Sequence, residues 1–99
     1  MKEKWIEIPG FPNYEISSKG KVKNIMTGNI LTPVKNGTGY EQVIIRNYLD
    51  VPKHKLIRRL VAESFVLNPD PETFKLVKSY TNNKTEYDAE NLYWSDRRH

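Results

Sequence analysis

The sequence predicts an α+β fold: a small N-terminal β-hairpin and β-sheet module followed by a mixed unit with one main helix. Three observations lead there. Apolar and polar residues alternate through the first half at the period of two that a half-buried strand requires. One stretch only, residues 57–66, switches to helical spacing. Turn-forming Gly, Pro and Asn residues recur at short intervals and keep every other element brief.

In chain order, Trp5-Ile6-Glu7-Ile8 alternates and is broken by Pro9-Gly10-Phe11-Pro12, a strand and a turn. Tyr14-Glu15-Ile16-Ser17 is a second short strand, turned by Ser18-Lys19-Gly20. Residues 21–26 alternate as a third strand, and Thr27-Gly28-Asn29 turns again. Residues 30–34 are extended, with Pro33 suited to a sheet edge because it lacks an N–H. After the turn at Gly37-Thr38-Gly39, residues 40–46 form the strongest strand of the chain, rich in β-branched and aromatic side chains. Residues 49–52 connect it to an extended segment, 53–57. The helix places Ile57, Leu60, Val61, Ser64 and Phe65 on one face and Arg58, Arg59, Ala62 and Glu63 on others; Asn68-Pro69-Asp70-Pro71 stops it. Residues 74–80 are extended. A polar loop follows, then a short helical turn over 88–92, for which Thr85 with Asp88 is a weak capping signal, and Tyr93-Trp94 as a last strand.

Ninety-nine residues suffice for one small domain. Apolar residues make up 37%, lean for a core, and two Trp, six Tyr and three Phe make up for part of this by burying much area each. With no cysteine, disulfides and cysteine–zinc sites are excluded. No secretion signal and no membrane span are visible, so a cytoplasmic location is expected, that of the host cell if the chain is phage-encoded, with no membrane partner. The net charge of +4 and a pI near 9.3 favour a polyanionic partner. They disfavour a protein that inhibits by imitating DNA, which would be acidic.

Two stretches together carry a family resemblance. Trp5, Ile8, Gly10-Phe11, Tyr14-Glu15-Ile16-Ser17, Gly20, Val22, Thr27-Gly28, Leu31 and Pro33 resemble the NUMOD4 motif of phage and intron-associated homing endonucleases. Gly39-Tyr40, then Arg59-Leu60-Val61-Ala62-Glu63-Ser64-Phe65, Asn68-Pro69, Val77, Asn83-Lys84-Thr85 and Glu90-Asn91-Leu92 with Trp94, resemble the HNH domain that follows it in that family. The resemblance implies a NUMOD4-like β module over 1–36 and a degenerate ββα, HNH-like region over 37–99, in one compact domain.

It also implies a chemistry from which this chain departs. In the family a carboxylate or amide just before a central histidine, and a helix asparagine, hold one divalent metal, and the histidine activates water. The matching segment here is Val77-Lys78-Ser79-Tyr80-Thr81-Asn82. Lys78 stands at a metal-ligand position, Ser79 at the base and Arg58 at the helix-start histidine; Glu86 and Tyr87 replace a pair of asparagines, and Asn91 alone survives of the metal site. His54 lies on an expected strand, where a surface or hydrogen-bonded role suits it better than that of a relocated base, and His99 is terminal. Glu63, Asp88 and Glu90 suit helix-surface and capping roles better than metal binding. The expectation is therefore no catalytic residue, no metal, no cofactor and no enzymatic activity.

What remains is a binding surface. Arg58 and Lys78 add cations where the family holds a metal, and Arg58 and Arg59 open a helix whose first N–H groups favour anions. With Arg46, Lys53, Lys55 and Lys84 they form the expected nucleic-acid-binding set, and Lys75 flanks the loop. Lys19, Lys21 and Lys23 fall on one strand face, equally suited to DNA contact or to guarding a sheet edge. DNA is thus the expected partner of a phage-encoded binding protein. The alternative is an inhibitor or regulator that docks on a host or defence protein through Tyr80, Tyr87 and Tyr93, with Tyr48 and Trp94 as further anchors against a plain core role. A residual metal-dependent nuclease is the third reading.

Overall fold

The computed structural model describes residues 2–81 and 83–96, so Asn82 and His99 lie outside the described residues. It contains three antiparallel sheets around one helix. The first sheet joins β1 (Trp5–Ile8), β2 (Phe11–Ser17) and β3 (Val22–Asn24). The second joins β4 (Val34–Lys35), β5 (Glu41–Arg46) and β6 (Pro52–Leu56). Then come α1 (Ile57–Phe65) and a hairpin of β7 (Leu76–Ser79) with β8 (Leu92–Ser95), separated by a 3₁₀ turn at Ala89–Asn91. The α+β class with a single main helix is as expected.

The strands obey the period of two. In β5, Val43 and Ile45 point into the core and Ile44 out. Ile16 and Val22 do the same across the β2–β3 pair, directly opposite one another. The β1–β2 register shifts between Glu7 and Ile8, so Phe11 pairs with Ile8 and joins the core rather than the turn that Pro9-Gly10 makes. Helix α1 buries Ile57, Leu60, Val61 and Ala62. Ala62 was expected on an outer face; its single methyl lets a neighbour approach that side of the helix as well. The core is continuous: Ile8, Phe11, Ile16 and Val22 of the first sheet, Val43 and Ile45 of the second, α1, Ala89 and Leu92 form one cluster. Both halves of the chain depend on it.

The segment between β2 and β3 differs from expectation. Residues 18–21 form a tight turn and β3 is only three residues long, so Lys19 and Lys21 lie outside the strand. The three lysines do not make a row. Lys19 bonds Asp88, and Lys23 bonds Glu15 while resting 4.3 Å over the Trp5 ring. The turn is internally satisfied. Ser17 Oγ accepts the N–H groups of Lys19 and Lys21, and Ser18 Oγ accepts that of Lys4, which explains why two serines are tolerated in the core.

That turn docks on the far end of the sequence. Ala89 N–H donates to Ser18 O at 2.9 Å, and Gly20, at φ +90, sits so close to Tyr87 that an added Cβ would lie 2.3 Å from the Tyr87 Cβ. The 3₁₀ turn is capped by Asp88, whose carboxylate accepts the Glu90 N–H. Thr85 is instead bound locally to Asn83, so the capping role expected for Thr85 belongs to Asp88.

Candidate nucleic-acid interface

The hairpin β7–β8 sets the geometry. Its register pairs Val77 with Trp94 and Ser79 with Leu92 on one face, and Lys78 with Tyr93 on the other. Leu92 is buried in the core and Val77 packs against it. Trp94 donates from Nε1 to Val66 O at the end of α1, satisfying a carbonyl the helix leaves open. Leu92 is thus a core residue, while Trp94 is half-buried and serves as a strut.

Between this hairpin, the start of α1 and β5 lies a cleft of about 590 Å³. Arg58, Arg59, Lys78 and Lys84 line it against one carboxylate, Glu41. Residues up to 26 positions apart in sequence thus bring four cations together, a concentration that charge counting alone could not locate.

Two of the cations share an aromatic support. Arg58 stacks over Tyr40 at 5.1 Å and Lys84 approaches the same ring at 5.3 Å. Arg58 Nη2 also donates to Asn83 O at 2.8 Å, and Lys84 Nζ to Thr38 O at 2.8 Å. Arg59 is held by Lys75 O, Glu63 and the Trp94 ring. The side chains are therefore fixed before any ligand arrives, which lowers the entropy lost on binding. Arg58 Nε is buried, with no hydrogen-bond partner among the described residues.

Of the remaining sequence candidates, Ser79, Tyr87 and Tyr93 also line the cleft, and the others fall elsewhere. Arg46 is bound to the carbonyl and carboxylate of Asp50 at the β5–β6 turn. Lys53 and Lys55 sit on β6, Lys55 over the Phe11 ring, and neither lines the cleft. His54 shares a hydrogen bond with Gln42 on the same sheet. Tyr48 is exposed at the β5–β6 turn, where its N–H reaches Gly10 O. Tyr87 is half-buried on the cleft wall: it packs against Gly20 and donates to Glu41 Oε1 at 2.5 Å. Burial, and then the Glu41 carboxylate, raise its pKa well above that of a free phenol. Asn91 contributes through its backbone, accepting Tyr80 N–H and donating to Asp88 O. Tyr80 and Tyr93 stack with centroids 4.6 Å apart.

Sequence reading missed Tyr40 as the anchor of two cations and Glu41 as the partner of Tyr87. Tyr40 stood in the resemblance as half of Gly39-Tyr40, but nothing local marks a strand aromatic as a cation support.

The donor set at the cleft does not fit the divalent cation that the resemblance implies. Lys78 brings a positive charge, the Ser79 and Thr81 hydroxyls bond each other at 2.8 Å, and among the described residues no three of His, Cys, Asp and Glu converge.

Comparison with known proteins agrees with the resemblance. Residues 3–46 match the NUMOD4 motif. The HNH endonuclease L247 of Acanthamoeba polyphaga mimivirus, itself uncharacterized, is 44% identical over 94 residues, which are 93% of this chain and 23% of that protein. Its counterpart L245 from the same virus is 33% identical over 99 residues, all of this chain and 29% of that protein. The chain therefore spans about a quarter of the length of these relatives. The solved structure describing DNA binding and cleavage by the HNH homing endonuclease I-HmuI superposes with a TM-score of 0.83 at 27% identity, over 93% of this chain and 52% of that one. These matches correct one expectation. The missing histidines argued that the chain is no enzyme; its relatives are HNH endonucleases and its structural match is a DNA-cleaving one, and both point to nuclease activity. Among the described residues, no helix is long and apolar enough to cross a membrane.

Proposed function

We propose that this chain, a NUMOD4 motif followed by an HNH-like domain, binds DNA and acts on it as an HNH-type endonuclease, with the cleft at the start of α1 seating a backbone phosphate. The observation that carries the reading is the convergence of Arg58, Arg59, Lys78 and Lys84 on one cleft. Phosphate oxygens accept hydrogen bonds from guanidinium in a matching planar geometry and from ammonium as a point charge. Arg58, whose Nη2 is held on Asn83 O, brings its guanidinium charge to the cleft wall. Lys78 and Lys84 add field from the two flanking segments. Arg59, held on three sides, sets the position of β7 relative to α1. A viral origin, expected from the sequence as a phage one, is supported by the mimivirus source of both relatives.

Binding is read by fluorescence anisotropy with a labelled duplex across a salt series. Arg58→Ala with Lys78→Ala is expected to weaken binding by about tenfold or more at low salt, while Lys53→Ala with Lys55→Ala, off the cleft, changes it far less. Equal losses from both pairs reject the cleft as the contact. Cleavage is read as conversion of supercoiled plasmid to nicked circles with Mg²⁺ or Mn²⁺ present; nicking is the outcome that the likeness to HNH endonucleases predicts.

A further inference from the structure

The stacked pair Tyr80–Tyr93 has no structural task that accounts for it. Tyr80 leaves 72% of its surface in solvent, yet its ring lies 4.6 Å from that of Tyr93 at an interplanar angle of 29°. A ring this exposed adds little to the core. Tyr93 in turn lines the cationic cleft. The hairpin fixes the arrangement: Lys78 and Tyr93 are register partners, and Tyr80, two residues beyond Lys78, is held by its N–H to Asn91 O. Lys78 and Tyr93 share one face of the hairpin, and the ring stack puts Tyr80, just past the end of β7, beside Tyr93. A cation and an aromatic pair, adjacent to a cleft carrying Arg58 and Lys84, form the combination that binds single-stranded nucleic acid: charge follows the backbone and a ring receives a base.

We infer that Tyr80 and Tyr93 form a stacking platform for an unpaired nucleobase whose phosphate lies in the neighbouring cleft, so that the protein prefers DNA with accessible bases over continuous duplex. The inference rests on the DNA-binding reading above and adds the form of DNA. In a duplex both faces of a base are covered by its neighbours, and the ring of Tyr80 gains nothing. A gap, a frayed end or a single strand leaves a face open, and stacking on it is sequence-tolerant because every base offers a π-face. A tyrosine pair also suits a protein partner, but the adjoining cations complement phosphate, which a base brings with it.

The test uses one fluorescein-labelled oligonucleotide presented single-stranded, as a gapped duplex and as a continuous duplex. The wild type is expected to bind the first two more tightly. Tyr80→Ala is expected to weaken them by about fivefold or more, with the continuous duplex held within about twofold; Tyr80→Phe, which keeps the ring, retains wild-type affinity. Unchanged single-strand affinity in Tyr80→Ala, or an equal loss on all three forms, overturns the platform while leaving DNA binding in place. Failure of the wild type to bind any form overturns the DNA-binding reading and the platform with it.

Discussion

Tyr87 Oη donates to Glu41 Oε1 at 2.5 Å across 46 residues of sequence, and so ties the loop before the 3₁₀ turn to the strongest strand of the fold. The bond closes one wall of the cationic cleft and occupies its one carboxylate. A hydrogen bond to a charged acceptor contributes more than a neutral one, and here both partners are shielded from water in part. Tyr87→Phe is expected to cost about 1–3 kcal/mol. In a chain this small that lowers the thermal midpoint by roughly 4–8 °C per kcal/mol, readable by circular dichroism. A midpoint unchanged in Tyr87→Phe would show that the contact contributes nothing net.

Gly20 makes the same loop depend on the N-terminal turn. Its φ of +90 is costly for any side chain, and an added Cβ would fall 2.3 Å from the Tyr87 Cβ and 2.8 Å from Cγ. Gly20→Ala therefore carries two separate costs, backbone strain and overlap, and is expected to destabilise by about 2 kcal/mol or more. Tyr87→Ala removes the Cγ and Cδ2 part of that contact but keeps the Cβ that lies nearest. The double variant Gly20→Ala with Tyr87→Ala is expected to be less destabilised than the sum of the singles, because the ring part of the overlap is shared. Strict additivity in urea unfolding would place the cost in the backbone and in the Cβ–Cβ overlap that alanine keeps, with none in the ring.

Most of this architecture was legible in the sequence because its signals are local. Alternation in Glu41-Gln42-Val43-Ile44-Ile45-Arg46 and the 3.6-residue spacing of Ile57, Leu60 and Val61 report directly which faces are buried. The stop at Asn68-Pro69 and the turn at Asp88 are local in the same way. The four cations that line the cleft, Arg58, Arg59, Lys78 and Lys84, were legible too: all stood in the expected set, through their places in or beside a known motif. Contacts between distant segments were not. Nothing near Tyr40 indicates that Arg58 and Lys84 will rest on its ring, and nothing near Gly20 points to Tyr87. Lys19 and Lys23 looked like a basic row because alternation fixes a face without saying whether an acid stands opposite; Asp88 and Glu15 do.

The Lys19–Asp88 pair gives the module contact a pH dependence. At 3.0 Å the ammonium is the main cause that lowers the Asp88 pKa, and the Asp88 carboxylate raises that of Lys19. A carboxyl whose pKa is lowered on folding stabilises the folded state above its unfolded value, near 4, and that stabilisation is lost as pH falls through the folded value. Wild type should exceed Asp88→Asn in thermal midpoint at neutral pH, and the two should converge below about pH 4. Asn retains an oxygen for the Glu90 N–H, so Asp88→Ala should be less stable than Asp88→Asn at every pH by about 1 kcal/mol, the worth of the cap. A gap between wild type and Asp88→Asn that persists undiminished into acid would mean that the charge is not its cause.

Arg58 allows charge and geometry at the cleft to be separated. Its guanidinium does three things at once: it lies on the Tyr40 ring, donates from Nη2 to Asn83 O, and leaves Nε without a partner. An ammonium has the charge but lacks the planar fork. If Arg58 meets a DNA phosphate, Arg58→Ala removes one released counterion, and the slope of log K against log salt should become shallower by about 0.9. Arg58→Lys should keep the wild-type slope, since the charge remains, and still lose several-fold in affinity, since a lysine has no second rigid donor to hold Asn83 while binding phosphate. The pair of outcomes is diagnostic. A slope unaltered in Arg58→Ala would mean that the cation supports the loop at Asn83 and never touches the nucleic acid; a lysine variant equal to wild type in both slope and affinity would mean that charge alone suffices and that the planar guanidinium adds nothing.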